Sequence, residues 1–267
     1  MNKNHLKMIG AGCVFMLILL AGCCSVFDSC DNDNSRYTAR KTFDFTIDAE
    51  GQTELDFSGI NGSVKITGWE NNSVYIQGER IVRADHSNEA WNELEKLQVD
   101  VDEHVQSIQV QTLQPSQSNG REYTINYDIS IPKSWSVDLT HVNGNVLIDH
   151  IKNSVDLDLT NGETVLNDHR GGLDVRITNG RLIAETELPD AEKWSVSIVN
   201  GAIDLLMKKT ASATFSVSVL NGSIDVNALP LQNKTQTLKS VSGILGDGKG
   251  KITFSVINGT IQVTGVE

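Results

Sequence analysis

The chain has 267 residues with 34 Asp and Glu against 22 Lys and Arg, a formal net charge of -12, and 39% hydrophobic residues, enough apolar material for one large domain or two small ones. Valine, isoleucine and threonine number 24, 22 and 19, beside 22 asparagines, 22 glycines and only 4 prolines, a balance that points to strands and tight turns. An acidic chain without a Lys/Arg cluster lacks the basic groups that displace counterions from a phosphate backbone, which argues against nucleic acid as a partner; the four cysteines, Cys13, Cys23, Cys24 and Cys30, all lie in the first thirty residues, which excludes a disulfide framework or cysteine zinc site beyond them.

Lys3 and Lys7 precede an apolar run from Met8 to Leu20 that ends in Leu20-Ala21-Gly22-Cys23. A basic start, a short apolar run and small residues before a cut are the parts of an export signal. At about 13 residues the run is too short for a hydrocarbon core, which takes roughly 20. The Leu-Ala-Gly-Cys ending resembles the bacterial lipobox, which implies a leader of residues 1–22 and lipid attachment at Cys23; an ordinary signal peptide with an incidental cysteine is the alternative. Loss of Lys3 and Lys7 with the leader leaves 20 basic residues against 34 acidic, a charge of -14. Cys24 rather than aspartate follows Cys23, which in the enteric sorting rule favours the outer membrane. Residues 23–40, with the unpatterned polar stretch Asp28 to Ser35, read as a flexible tether, and 41–267 as the folded body.

Leu55, Phe57, Val64 and Ile66 alternate on either side of Asn61-Gly62, the pattern of strand, corner and strand. Ser87 to Leu97 breaks that alternation: Ala90, Trp91, Leu94 and Leu97 recur at helical spacing behind Ser87 as N-cap, which predicts one short amphipathic helix over 87–97 with Trp91 as its core anchor. Strands are expected near Val99 to Val110 and Tyr123 to Ile131, separated by an exposed polar loop over Gln114 to Gly120.

From Asn143 onward the pattern is periodic. Asn-Gly pairs at 143, 161, 179, 200, 221 and 258 are spaced by 18, 18, 21, 21 and 37 residues, the last interval spanning a degenerate copy at Ser242-Gly243. The sixth, fourth and second residues before each asparagine read Val155/Leu157/Leu159, Leu173/Val175/Ile177, Trp194/Val196/Ile198, Phe215/Val217/Val219 and Ile252/Phe254/Val256, and the alternation resumes three residues after it. An antiparallel hairpin meander with Asn-Gly turns would use this pattern. The near-constant period favours the other architecture, an all-β parallel β-solenoid of about 18–21-residue coils, stacked about 4.8 Å apart with the asparagines in a ladder at one corner. One coil alone buries too little apolar surface to offset its ordering entropy, so the copies must stack.

The segment Phe57-Ser-Gly-Ile-Asn-Gly-Ser-Val-Lys-Ile-Thr-Gly-Trp69, the strands around each later Asn-Gly and the closing run from Gly248 to Val263 resemble the toast-rack adhesin family of β-strand-repeat domains over roughly residues 41–267. The resemblance implies an exported or envelope protein with a β-helix-like fold. The family carries no agreed catalytic residues, so none is transferred.

No nucleophile elbow, phosphate-cradling glycine loop or His-Glu-x-x-His segment is present. Asp138, Asp156 and Asp174 stand at the same outward position of successive repeats, where stacking aligns carboxylates that repel one another or attract a cation such as calcium. Arg176 near Asp158 favours a plain solvated face. Asp149-His150 and Asp168-His169 offer zinc ligand types at nearly matching offsets but read more readily as exposed turns, and His141 holds an inward position as a satisfied, partly buried histidine.

These features predict a non-enzymatic, lipid-anchored envelope protein with no required cofactor. Its rigid solenoid would serve adhesion, interaction or scaffolding, with an envelope protein or glycan as ligand and the membrane held through the acylated N-terminus. The localisation is outer membrane, periplasmic or surface-facing. With the chain ending soon after Val263, self-association through the C-terminal strand edge is a further expectation. The alternatives are a carbohydrate-active β-helix enzyme using the aspartate face and an envelope-stress sensory domain.

Overall fold

The computed structural model describes residues 36–49, 51–189 and 191–267; the leader, Cys23 and Asp28 to Ser35 lie outside the described residues. The N-terminal part contains β1 (Tyr37–Asp48), β2 (Glu54–Asn61), β3 (Val64–Trp69), β4 (Ser73–Ala84), α1 (Ser87–Leu94), β5 (Gln98–Glu103), β6 (Ser107–Leu113) and β7 (Glu122–Pro132). The repeat array follows as β8 (Ser136–Asn143), β9 (Val146–Asp149), β10 (Val155–His169), β11 (Leu173–Thr186), β12 (Lys193–Lys208), β13 (Ala213–Asn227), β14 (Gln232–Gln236), β15 (Ser240–Leu245) and β16 (Gly250–Val266). The first strand opens at Tyr37, inside the stretch read as tether.

The array is a parallel solenoid. β10 runs through Asn161-Gly162 without a break and pairs in parallel with β8 and β9 on one side and β11 on the other, asparagine opposite asparagine. β12 continues the stack on β11 in the same register. Parallel pairing excludes the hairpin meander. The inward rows change parity across each corner: in β10, Val155, Leu157 and Leu159 are buried before Asn161, and Thr164 and Leu166 after it. The corner therefore turns both arms of each coil onto one continuous core.

The coil order departs from the sequence order. β16 lies between β12 and β13, parallel to both, so Asn258 sits between Asn200 and Asn221. Ser242-Gly243 is not a coil corner: β15 runs back antiparallel along the first half of β13, with Ser242 opposite Ser216 and Gly243 opposite Phe215. A copy without the asparagine amide has nothing with which to join the ladder. β14 adds to β15 as the last strand. The C-terminal strand is thus internal, with Val263 fully buried, which overturns the expected self-association through its edge.

At the other end, β7 pairs in parallel with β3, and β4 and then β1 extend the sheet beyond it in antiparallel fashion, while β6 adds in parallel beside β2 and β5 pairs antiparallel with β6. The helix occupies Ser87–Leu94 with His86, not Ser87, as its N-cap. It packs on β1 and β4 through Ala90 and Leu94, with Leu97 buried just beyond its end. Trp91 is not the core anchor: it is 52% exposed, and the inward position next to Leu94 is taken by Glu93. Glu93 accepts hydrogen bonds from Lys96 at 2.8 Å, Arg121 at 2.9 Å and Tyr123 at 2.8 Å. These partners, Lys96 foremost, hold its carboxyl below the usual range, while burial and the bond to Glu93 push the Tyr123 hydroxyl up to about 12.

Candidate interaction surface

The Asn-Gly corners form a hydrogen-bonded ladder. Asn143 donates to Asn61, Asn161 to Asn143, Asn179 to Asn161, Asn200 to Asn179, Asn258 to Asn200 and Asn221 to Asn258, every amide contact between 2.8 and 2.9 Å. Asn61 closes the first end by donating to the Tyr123 carbonyl at 3.1 Å. At the other end no side chain among the described residues donates to the Asn221 amide oxygen. The glycines are required at these corners: Gly180 has φ +158°, and a Cβ there would overlap the Gly162 carbonyl of the coil below.

The aspartate row is in register. Asp138, Asp156 and Asp174 are direct strand neighbours, and Asp56 extends the row below Asp138. Arg176 lies among them, 3.1 Å from Asp156, 3.3 Å from Asp158 and 2.9 Å from Asp174, so a guanidinium meets the charge on that side. Asp138 lies outside its reach, and desolvation followed by the charges of Asp156 and Asp56 raises its carboxyl above the usual range. No group of three or more His, Cys, Asp or Glu among the described residues is arranged to hold a metal ion.

The two Asp-His pairs do not converge. The unbroken β9–β10 register sets Asp149 opposite Asn167 rather than Asp168, and a bulge between Asn167 and His169 turns His169 into the core while His150 stays exposed. His150 contacts Asp149 at 2.7 Å and Asp168 at 3.8 Å. They border a groove of about 380 Å³ in which Arg170, Glu187 and Lys208 are paired with one another or with Asp168, and which Glu185 and Glu267 also line. His141 is inward as expected but fully rather than partly buried, its Nε2 2.9 Å from the Gly62 carbonyl and its Nδ1 without a hydrogen-bond partner among the described residues.

The surface that sequence reasoning missed stands at the corner itself. The residues just before the ladder asparagines read, in spatial order, Ile60, Val142, Thr160, Thr178, Val199, Ile257 and Leu220. The last three form an apolar ridge of rising exposure, 37%, 44% and 65%. The ridge leads to the outer half of β13, where pairing with β15 ends at Ser218, so among the described residues Leu220–Asn227 has a strand neighbour on the β16 side only. Ile224 and Val226 point inward there yet remain half-buried, and Leu238, at the β14–β15 turn, is 91% exposed. The signal was present in the sequence as an apolar residue before Asn200, Asn221 and Asn258, but alternation assigns that position outward and gives no reason to read it as a surface.

No curated protein matches the chain. Among solved structures it is similar to a putative cell adhesion protein from Clostridium sporogenes, at 11% identity and a TM-score of 0.48, covering 85% of this chain and 100% of that one. It is also similar to a putative adhesin from Bacteroides fragilis, at 12% identity and a TM-score of 0.43, covering 84% and 97%. A putative lipid binding protein from Parabacteroides distasonis follows at 10% identity and a TM-score of 0.36, covering 85% and 97%. The Toastrack DUF4097 family profile matches residues 51–264, four-fifths of the chain, with the Asn-Gly coils at its centre, and the protein belongs to that family.

Proposed function

We propose that this protein is a non-enzymatic envelope module, anchored by lipid at Cys23, whose solenoid presents its far end to a protein partner. One observation carries the reading: the strand edge Leu220–Asn227 is open, flanked by the apolar ridge Val199, Ile257, Leu220, and lies at the opposite end of the sheet from the chain's entry at β1. Nine strand spacings separate β1 from β13, about 43 Å at 4.8 Å each. An open edge offers unpaired N–H and C=O groups that an extended strand satisfies, while the ridge offers apolar burial beside it. The occupant that fits is an extended segment of an envelope protein with apolar side chains on one face. Lys239, whose ammonium reaches the Gly222 carbonyl at 3.3 Å, limits indiscriminate edge pairing.

The enzyme reading loses support because Arg176 occupies the aspartate row on which it depended. Among the described residues no helix is long and apolar enough to cross a membrane. The test is photo-crosslinking in intact cells from a probe at position 220, with position 160 on the same row as control. Adducts to one protein species at 220 that vanish in Leu238→Glu support the reading. Equal labelling at both positions, or none, contradicts it. Mass spectrometry of the mature N-terminus reports separately on acylation of Cys23.

A further inference from the structure

Trp91 and Tyr37 are the two aromatic side chains more than half exposed among the described residues, at 52% and 54%. Both lie at the end of the molecule where the chain enters. Tyr37 stands opposite Ala84 in the β1–β4 pair, three residues before α1 begins, and shares its strand face with Ala39 and Lys41. Glu95, one helical turn beyond Trp91, meets Lys41 at 3.4 Å, so the stripe of α1 that carries Trp91 lies along the β1 edge. Arg36, the first described residue, is held beside them by Asp85 at 3.3 Å and Glu122 at 2.6 Å.

Resting on lipidation at Cys23, we infer that this β1–α1 edge is a bilayer-contact surface, with Trp91 and Tyr37 seated at the headgroup level. Cys23 and Arg36 are 13 residues apart in sequence, a reach of at most about 45 Å even fully extended. The surface around Arg36 therefore stays within that distance of the bilayer, nearer on average than the far end of the sheet. Tryptophan and tyrosine suit that position because each has an apolar ring and a polar tip, and a water-exposed indole gains by leaving water for the interface. The nearby cations Arg40, Lys41 and Lys96 are matched by Glu79, Glu95 and Glu93, so the contact does not depend on anionic lipid. Tethering raises the effective concentration at the bilayer, so weak seating of two rings suffices to orient the body. The solenoid then stands with its open β13 edge directed away from the anchoring membrane.

The experiment uses the full lipidated chain reconstituted in vesicles of phosphatidylethanolamine and phosphatidylglycerol containing brominated phosphatidylcholine. Tryptophan emission is compared between the native chain and Trp91→Phe, a change that spares the core because Trp91 is exposed. Bromine quenching of the Trp91 component by at least twofold, little altered between low and high salt and reduced in Tyr37→Ser, supports the inference. Vesicle-bound protein whose Trp91 emission is unquenched overturns the contact surface while leaving the anchor in place. Protein that does not stay with the vesicles overturns the anchor and the contact surface together.

Discussion

His141 occupies an inward position that the following coils fill with Leu159, Ile177 and Ile198, His169 one whose counterparts are Thr186 and Met207, and each spends one ring nitrogen on a backbone carbonyl, Gly62 and Gly172 respectively. Gly59, the strand neighbour of His141, leaves the room that the imidazole takes, since a Cβ at that position would press on the ring. Burial lowers the pKa of both histidines below the ordinary 6.5. As pH falls below that value the unfolded chain takes up protons that the native chain refuses, so stability is lost from about pH 6.5 downward and is insensitive to these groups above it. The slope is at most about 1.4 kcal/mol per pH unit for each histidine. Urea unfolding of the native chain and His169→Gln between pH 5 and 8 checks this: the variant is expected to show the shallower decline, and identical slopes would contradict it. The inward place of His141 was legible from alternation alone. The burial of His169 was not, because a one-residue bulge reverses the facing that even spacing predicts.

At the scale of the coil, the repeat period and the Asn-Gly corner carried enough information to predict strands, facing and ladder, because parallel stacking forces identical residues into register. The corner also makes a quantitative claim. Gly180→Ala combines a left-handed backbone angle with overlap on the Gly162 carbonyl, so it is expected to cost about 3 kcal/mol or more, seen as a large fall in the unfolding midpoint. A change under about 0.5 kcal/mol, the level of an ordinary surface substitution, would show that the corners are not stacked as described. The helix was legible in position but not in rotation. Ala90 and Leu94 define its buried face, continued by Leu97 just beyond its end, and either Trp91 or Glu93 fits beside them by spacing; Glu93 wins because Arg121, Lys96 and Tyr123 satisfy its carboxylate.

For the whole molecule, the order of coils decides what the protein presents. Sequence spacing gives the copies but not their neighbours. The interval from 221 to 258 was readable as two coils, whereas the chain spends it on the β14–β15 hairpin and returns to insert β16 beneath β13. That return buries the C-terminal strand and leaves Leu220–Asn227 as the open edge, far from the end of the sheet at β1. Everything proposed for the two ends depends on this threading, and engineered disulfides test it directly. In a chain with Cys13, Cys23, Cys24 and Cys30 replaced by serine, Ser197→Cys with Ser255→Cys joins register partners of β12 and β16. Ser197→Cys with Ser218→Cys joins strands separated by β16, about 9.6 Å apart and beyond the span of a disulfide. Oxidation is expected to close the first pair and leave the second as free thiols; closure of the second pair with the first left open would contradict the account.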